Sequence, residues 1–84
     1  MPSRLKKARR RVVGTNQTLR ALENGSAMVV FVANDAESRV TAPVLELAER
    51  QAIEIVRVET MTDLGQHCGI DVGTACAALL KGSV

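Results

Sequence analysis

Seven consecutive apolar residues, Ala27-Met28-Val29-Val30-Phe31-Val32-Ala33, lie near the middle of an 84-residue chain. They show no polar–apolar alternation, so a strand built from them must be covered on both faces. The run is far too short for the roughly 20 residues that cross a bilayer. It demands a sheet with helices above and below it.

The flanking sequence supplies those elements. Arg10 to Val13 reads as a brief strand ended by Gly14, and Thr15 to Asn24 as a helix closed by a left-handed cap at Asn24-Gly25. Asn34-Asp35 turns the chain after the central strand. The next helix is predicted from Pro43 to Gln51, with Val44, Leu45, Leu47 and Ala48 as its buried stripe. Proline suits a first-turn position, which leaves Ser38 to Ala42 as a separate turn. Glu54 to Val58 alternates as a strand. Thr60 to Asp63 resembles a capping box, opening a helix to about Cys68 that Gly69 ends. Ile70 to Thr74 is a glycine-containing loop, and Ala75 to Leu80 a last apolar strand. Strands alternating with helices predict an α/β fold: a compact three-layer α/β/α sandwich around a four-stranded, mostly mixed sheet. Residues 1–84 form a single domain, in which 1–9 is a basic N-terminal segment able to form a short helix.

Charge is distributed unevenly. Residues 1–20 hold Arg4, Lys6, Lys7, Arg9, Arg10, Arg11 and Arg20 with no acid, a charge of +7. Residues 21–84 hold four basic residues against nine acidic ones, a charge of −5. A basic first quarter on an acidic body is the footprint of a polyanion binder. A membrane surface is a poor partner, because Leu5 alone offers no insertable face. The N-terminus lacks the apolar core of a signal peptide, so the expected location is cytoplasmic.

Little in the chain resembles a catalyst. His67 is the only histidine, tyrosine is absent, and the carboxylates are scattered. Neither a Walker nor a GxGxxG pattern occurs. Cys68 and Cys76 have no metal-ligand spacing and are expected to be small core residues without a disulfide. No metal and no cofactor is predicted.

The segment Gly14-Thr15-Asn16-Gln17-Thr18-Leu19-Arg20 is the more informative one. Leu19 and Leu22 share a side with Thr15 and can pack on the sheet, while Asn16, Gln17 and Arg20 fall on the exposed side. Two amides and a guanidinium thus stand at a helix N-terminus, where free N–H groups already favour an anion. Gly14 lets a ligand approach the backbone. The same side-chain groups pair bidentately with base edges. A plain helix cap is the competing explanation of Thr15 and Asn16.

Among nucleic acids, single-strand readers need aromatic platforms, and Phe31 is the only aromatic residue. Helix-turn-helix readers of DNA lack this strand-rich pattern. A regular A-form duplex hides its major groove. Structured RNA opened by a kink or bulge is what remains.

These residues carry a resemblance over nearly the whole chain. The stretches VVGTNQTLRAL (12–22), VVFVANDAE (29–37), LAERQAI (47–53) and VETMTDLGQHCGIDVGTACAAL (58–79) resemble the kink-turn RNA-binding family of ribosomal proteins, the seven-Ae and thirty-e group, and specifically its short bacterial seven-Ae-like members. The pairing of G-T-N with a later L-G-x-x-x-G-I-x-V is specific. The resemblance implies a non-catalytic α/β/α domain that binds kink-turns, where a three-nucleotide bulge beside tandem sheared G·A pairs bends the RNA. It implies that Asn16 and Arg20 contact guanine edges, with Gln17 beside them, and that Gly14 and Thr15 bring backbone amides near the RNA. It places Ile70, Asp71, Val72, Gly73 and Thr74 against the bulged nucleotides. The family's common Glu is Gln17 here, and its common Lys is Arg20. Arg9, Arg10 and Arg11 are expected to make non-specific phosphate contacts. The partner is ribosomal RNA, a riboswitch or another non-coding RNA, with the ribosome a candidate assembly and the protein itself a monomer. The rival expectation is a protein–protein adaptor on the same fold, marked by an exposed apolar patch on the 43–51 helix.

Overall fold

The computed structural model describes residues 10–81. The short helix expected within 3–9, and Arg9 with it, lies outside these residues. Among the described residues, four strands and three helices alternate: β1 (Arg11–Val13), α1 (Thr15–Glu23), β2 (Ala27–Ala33), α2 (Ser38–Arg50), β3 (Glu54–Val58), α3 (Met61–His67) and β4 (Cys76–Leu80). The strands form one mixed sheet in the order β1-β4-β2-β3. β2 runs parallel to β3 and antiparallel to β4, which is antiparallel to β1.

The unbroken apolar run is therefore an inner strand, as its composition requires. Val29, Phe31 and Ala33 face Leu64 and Cys68 on the α3 side. Val30 and Val32 face Ala21 and Leu22 of α1 and Val44 and Ala48 of α2. This is the α/β/α sandwich. Ala27 breaks the alternation by joining the α1–α2 side, because the register with β4 shifts between Ala27 and Val29. A bulge at Met28 absorbs the extra residue and leaves its side chain exposed.

Two expectations change. The second helix begins at Ser38, so Ser38 to Ala42 is not a separate turn and Pro43 lies inside the helix. An interior proline costs about 3 kcal/mol in a helix without compensation. Here Pro43 is on the exposed side, while Thr41, Val44 and Ala48 are buried and hold the helix to the sheet. The face of α1 is also rotated from the expected one. Thr18, Ala21 and Leu22 are buried, whereas Leu19 is half-buried. Thr18 is thus a core residue, and its hydroxyl has no hydrogen-bond partner.

All three helices end in the same way, with paired bonds from the residues after the cap. Ser26, Ile53 and Ile70 donate to Ala21, Ala48 and Gly65, at 2.9, 2.9 and 3.0 Å. The left-handed position falls on Gly25, Ala52 and Gly69. The third helix opens on Thr60, whose hydroxyl accepts from the Asp63 N–H at 3.0 Å, as its capping sequence predicts.

Candidate nucleic-acid interface

The mouth of α1 is built by a glycine. Gly14 occupies the N-cap position at φ 108°, ψ 152°, and no side chain caps the helix. Only glycine takes this backbone without strain. Thr15 and Asn16 are therefore not spent on capping, and the first-turn N–H groups keep their capacity to bind an anion. The first turn contains no acidic residue. Gly14 itself is fixed to the sheet by donating to the Cys76 carbonyl at 2.9 Å.

In front of the mouth lies an open groove of about 610 Å³. Gly14, Thr15, Asn16 and Gln17 form its polar side, and Val40 and Pro43 of α2 its apolar wall. Asn16 and Gln17 are exposed, while Thr15 is half-buried. Arg20 is exposed but lines a separate groove on the flank of α1, which Gln17 also lines. The expected Asn16–Arg20 pair is thus divided between two hollows, with Gln17 common to both.

The loop 70–74 is held by close backbone packing. A Cβ on Gly65 would overlap the Val72 carbonyl oxygen, and one on Gly73 would press on Met61 at 3.2 Å. The two glycines let the loop lie directly on α3. Hydrogen bonds pin both ends: Ile70 donates to the Gly65 carbonyl at 3.0 Å and Thr74 to that of Met61 at 3.1 Å. Ile70 packs against the α3-side core, while Asp71, Val72 and Gly73 are exposed. Val72 is the most open large apolar side chain described, at 70%. Thr74 instead turns inward, with its hydroxyl donating to the Cys76 carbonyl at 2.9 Å. Its side chain secures the loop and is largely buried.

The arginines divide similarly. Arg11 is half-buried and donates to the Cys68 carbonyl at 2.9 Å, where a cation suits the C-terminal end of α3. It acts as a tie between β1 and α3 rather than as an outlying charge. Arg10 is exposed, with Nη1 donating to the Lys81 carbonyl at 3.3 Å.

The sequence matches the profile of the ribosomal protein L7Ae/L30e/S12e/Gadd45 family over residues 2–83. The chain belongs to this family. Among its relatives is an RNA-binding protein of Caldanaerobacter subterraneus, 48% identical over 69 residues, covering 82% of this chain and 84% of the relative. The large ribosomal subunit protein eL8 of Halobacterium salinarum is 44% identical over 68 residues, which are 80% of this chain and 57% of eL8. The Giardia lamblia 15.5kD RNA-binding protein has the same fold, with a TM-score of 0.80 at 25% identity. That alignment covers 86% of this chain and 61% of the Giardia chain.

The two thiols of this family member are buried, as expected of core residues. Burial pushes the Cys68 thiol above its ordinary value, and the Arg11 charge partly opposes this. Burial raises Cys76 as well, against a hydrogen bond from Thr15. Among the described residues, no group of His, Cys, Asp and Glu could hold a metal, and no helix is long and apolar enough to cross a membrane. The wall formed by Val40 and Pro43 was not expected as part of the site. The sequence offers only a valine three places before a proline as its trace; the fold leaves Val40 38% exposed.

Proposed function

We propose that this chain is a non-catalytic RNA-binding protein that recognises kink-turns, reading tandem sheared G·A pairs at the mouth of α1 and the adjacent bulge with the 70–74 loop. The observation that carries this is the uncapped helix mouth: a positive-φ glycine and two exposed amides open onto a groove free of acids. Asn16 and Gln17 present donors and acceptors to base edges from the groove. Arg20, on the adjoining flank, can reach a guanine or its phosphate through a flexible side chain. Gly14 and Thr15 allow close backbone approach. Ile70, Asp71, Val72 and Gly73 form the face toward splayed nucleotides, with Val72 as the apolar contact and Thr74 as the anchor beneath. The RNA-binding names of the relatives support this reading. The likeness to eL8 supports association with the large ribosomal subunit.

The adaptor alternative has weaker support. Along residues 43–51, the exposed positions are Pro43, Glu46, Glu49, Arg50 and Gln51, which make no apolar patch.

The deciding experiment titrates the protein against a labelled kink-turn RNA and against the same RNA with its G·A pairs made Watson–Crick, at about 150 mM salt to suppress non-specific binding. A preference of tenfold or more, about 1.4 kcal/mol, is expected. Equal, salt-sensitive binding to both would overturn the proposal.

A further inference from the structure

The groove on the flank of α1 has a chemistry different from the mouth. It measures about 160 Å³, against about 610 Å³ for the mouth groove. Gln17, Arg20, Asn24 and Ser26 line it above an apolar floor of Val12 and Leu80. None of its lining residues is acidic. Lys81 stands at its far end, since the Lys81 N–H donates to the Ser26 carbonyl at 2.8 Å. The Lys81 carbonyl in turn receives the Arg10 guanidinium at 3.3 Å. The side-chain amides of Gln17 and Asn24 therefore share the groove with the Arg20 guanidinium, and Arg10 and Lys81 follow at its end. That set suits the oxygens of a phosphodiester.

A helix C-terminus ordinarily repels an anion, because its last carbonyls are unpaired. At α1 they are paired: Gly25 N–H donates to Leu22 at 3.1 Å, and Ser26 N–H to Ala21 at 2.9 Å. The Ser26 hydroxyl adds a second bond to the Ala21 carbonyl at 3.2 Å. The nearest acid on the helix, Glu23, does not line the groove.

We propose that this flank is a phosphate track, holding the sugar–phosphate backbone of the RNA strand that leaves the mouth groove. The inference rests on the kink-turn reading above and adds a sequence-independent site to it. Continuity with the mouth argues for RNA as the occupant, because Gln17 lines both grooves. Complementary charge argues the same way.

The test uses Lys81→Glu and Asn24→Asp, with Lys81→Gln as a milder variant and circular dichroism to verify folding. Binding to kink-turn RNA is measured across salt, with full-length RNA and with either stem trimmed close to the kink. Each variant is expected to bind about three- to tenfold more weakly, with a log–log salt slope lower by about one. The preference for sheared G·A pairs should not move. With one of the two trimmed RNAs, the variants should match the unaltered protein, because the phosphate they would have lost is no longer there. Unchanged affinity and slope would overturn the track, and so would an equal loss on both trimmed RNAs, which signals charge acting at a distance. Failure of the kink-turn reading would show separately, as absence of G·A preference in the unaltered protein.

Discussion

Gly14 and Thr74 donate to the same atom, the carbonyl oxygen of Cys76, each at 2.9 Å. One is the N-cap of α1 and the other closes the 70–74 loop, sixty residues later in the chain. The first residue of β4 thus sets the spacing between the two halves of the proposed RNA surface. A rigid shared acceptor is a simple way for two distant segments to address one bent ligand.

Thr74→Val removes one of those donors and keeps the side-chain shape. The buried carbonyl retains its bond from Gly14, so the stability cost should be modest, about 1 kcal/mol. The larger effect is expected in RNA binding, because the loop loses its tether to the mouth. Urea melts and kink-turn titrations read the two separately. Unchanged affinity would mean that the Thr74–Met61 and Ile70–Gly65 bonds hold the loop unaided.

Gly65→Ala probes the same loop from beneath. The new methyl would occupy the place of the Val72 carbonyl, and backbone cannot give way as a flexible side chain can. The loop must lift or α3 must shift, at about 1–3 kcal/mol, the usual cost of overpacking. Amide shifts in an NMR spectrum should concentrate at residues 64–74 and spare α1. A spectrum perturbed throughout α1 would contradict a contact confined to α3 and the loop.

Asn16→Ala acts at the mouth without disturbing the fold, because Asn16 is exposed and caps nothing. It should cost about 1–3 kcal/mol of affinity, the range for a lost bidentate base contact, and erode the G·A preference. An alanine variant that keeps both affinity and preference would remove Asn16 from the site.

Much of this arrangement was legible because its determinants are local. The apolar run Ala27–Ala33 carries its own requirement for cover on both faces. Gly25 and Gly69 mark left-handed caps, and Thr60 signals a helix start. What escaped depends on segments that meet only in the folded chain. Pro43 argues locally for a helix beginning there, but burial of Thr41 and Val44 carries the helix back to Ser38. Gly65 belongs to a legible motif and Gly73 to a legible glycine-containing loop, yet the cause of both is the loop lying on α3. Arg11 looked like one more basic charge until α3 placed the Cys68 carbonyl beside it. Val40 joins the site only because α2 passes the mouth of α1.

Ala52 offers a stabilising change. It holds the left-handed position after α2 at φ 56°, where Gly25 and Gly69 serve the other helices. A Cβ there costs roughly 1–2 kcal/mol, and glycine's extra freedom in the unfolded chain returns part of the gain. Ala52→Gly should therefore raise stability by about 0.5–1 kcal/mol, seen as a higher melting temperature with RNA affinity unchanged. A lower melting temperature would show that the strain has already been relieved.

Alkaline pH should weaken the fold through its thiols. Burial holds Cys68 and Cys76 above the ordinary value of 9.0. Below that value both states keep the protons, and the contribution to stability is complete. As pH rises past it, the unfolded chain loses them first, so the folded state binds more protons and stability falls. The slope approaches about 1.4 kcal/mol per pH unit for each thiol within that window. Urea melts between pH 7 and pH 10.5 measure this against the Cys68→Ala/Cys76→Ala variant. The double variant should start less stable, from the atoms it loses, yet decline less steeply. Parallel declines would show that the thiols are not the cause of the alkaline sensitivity.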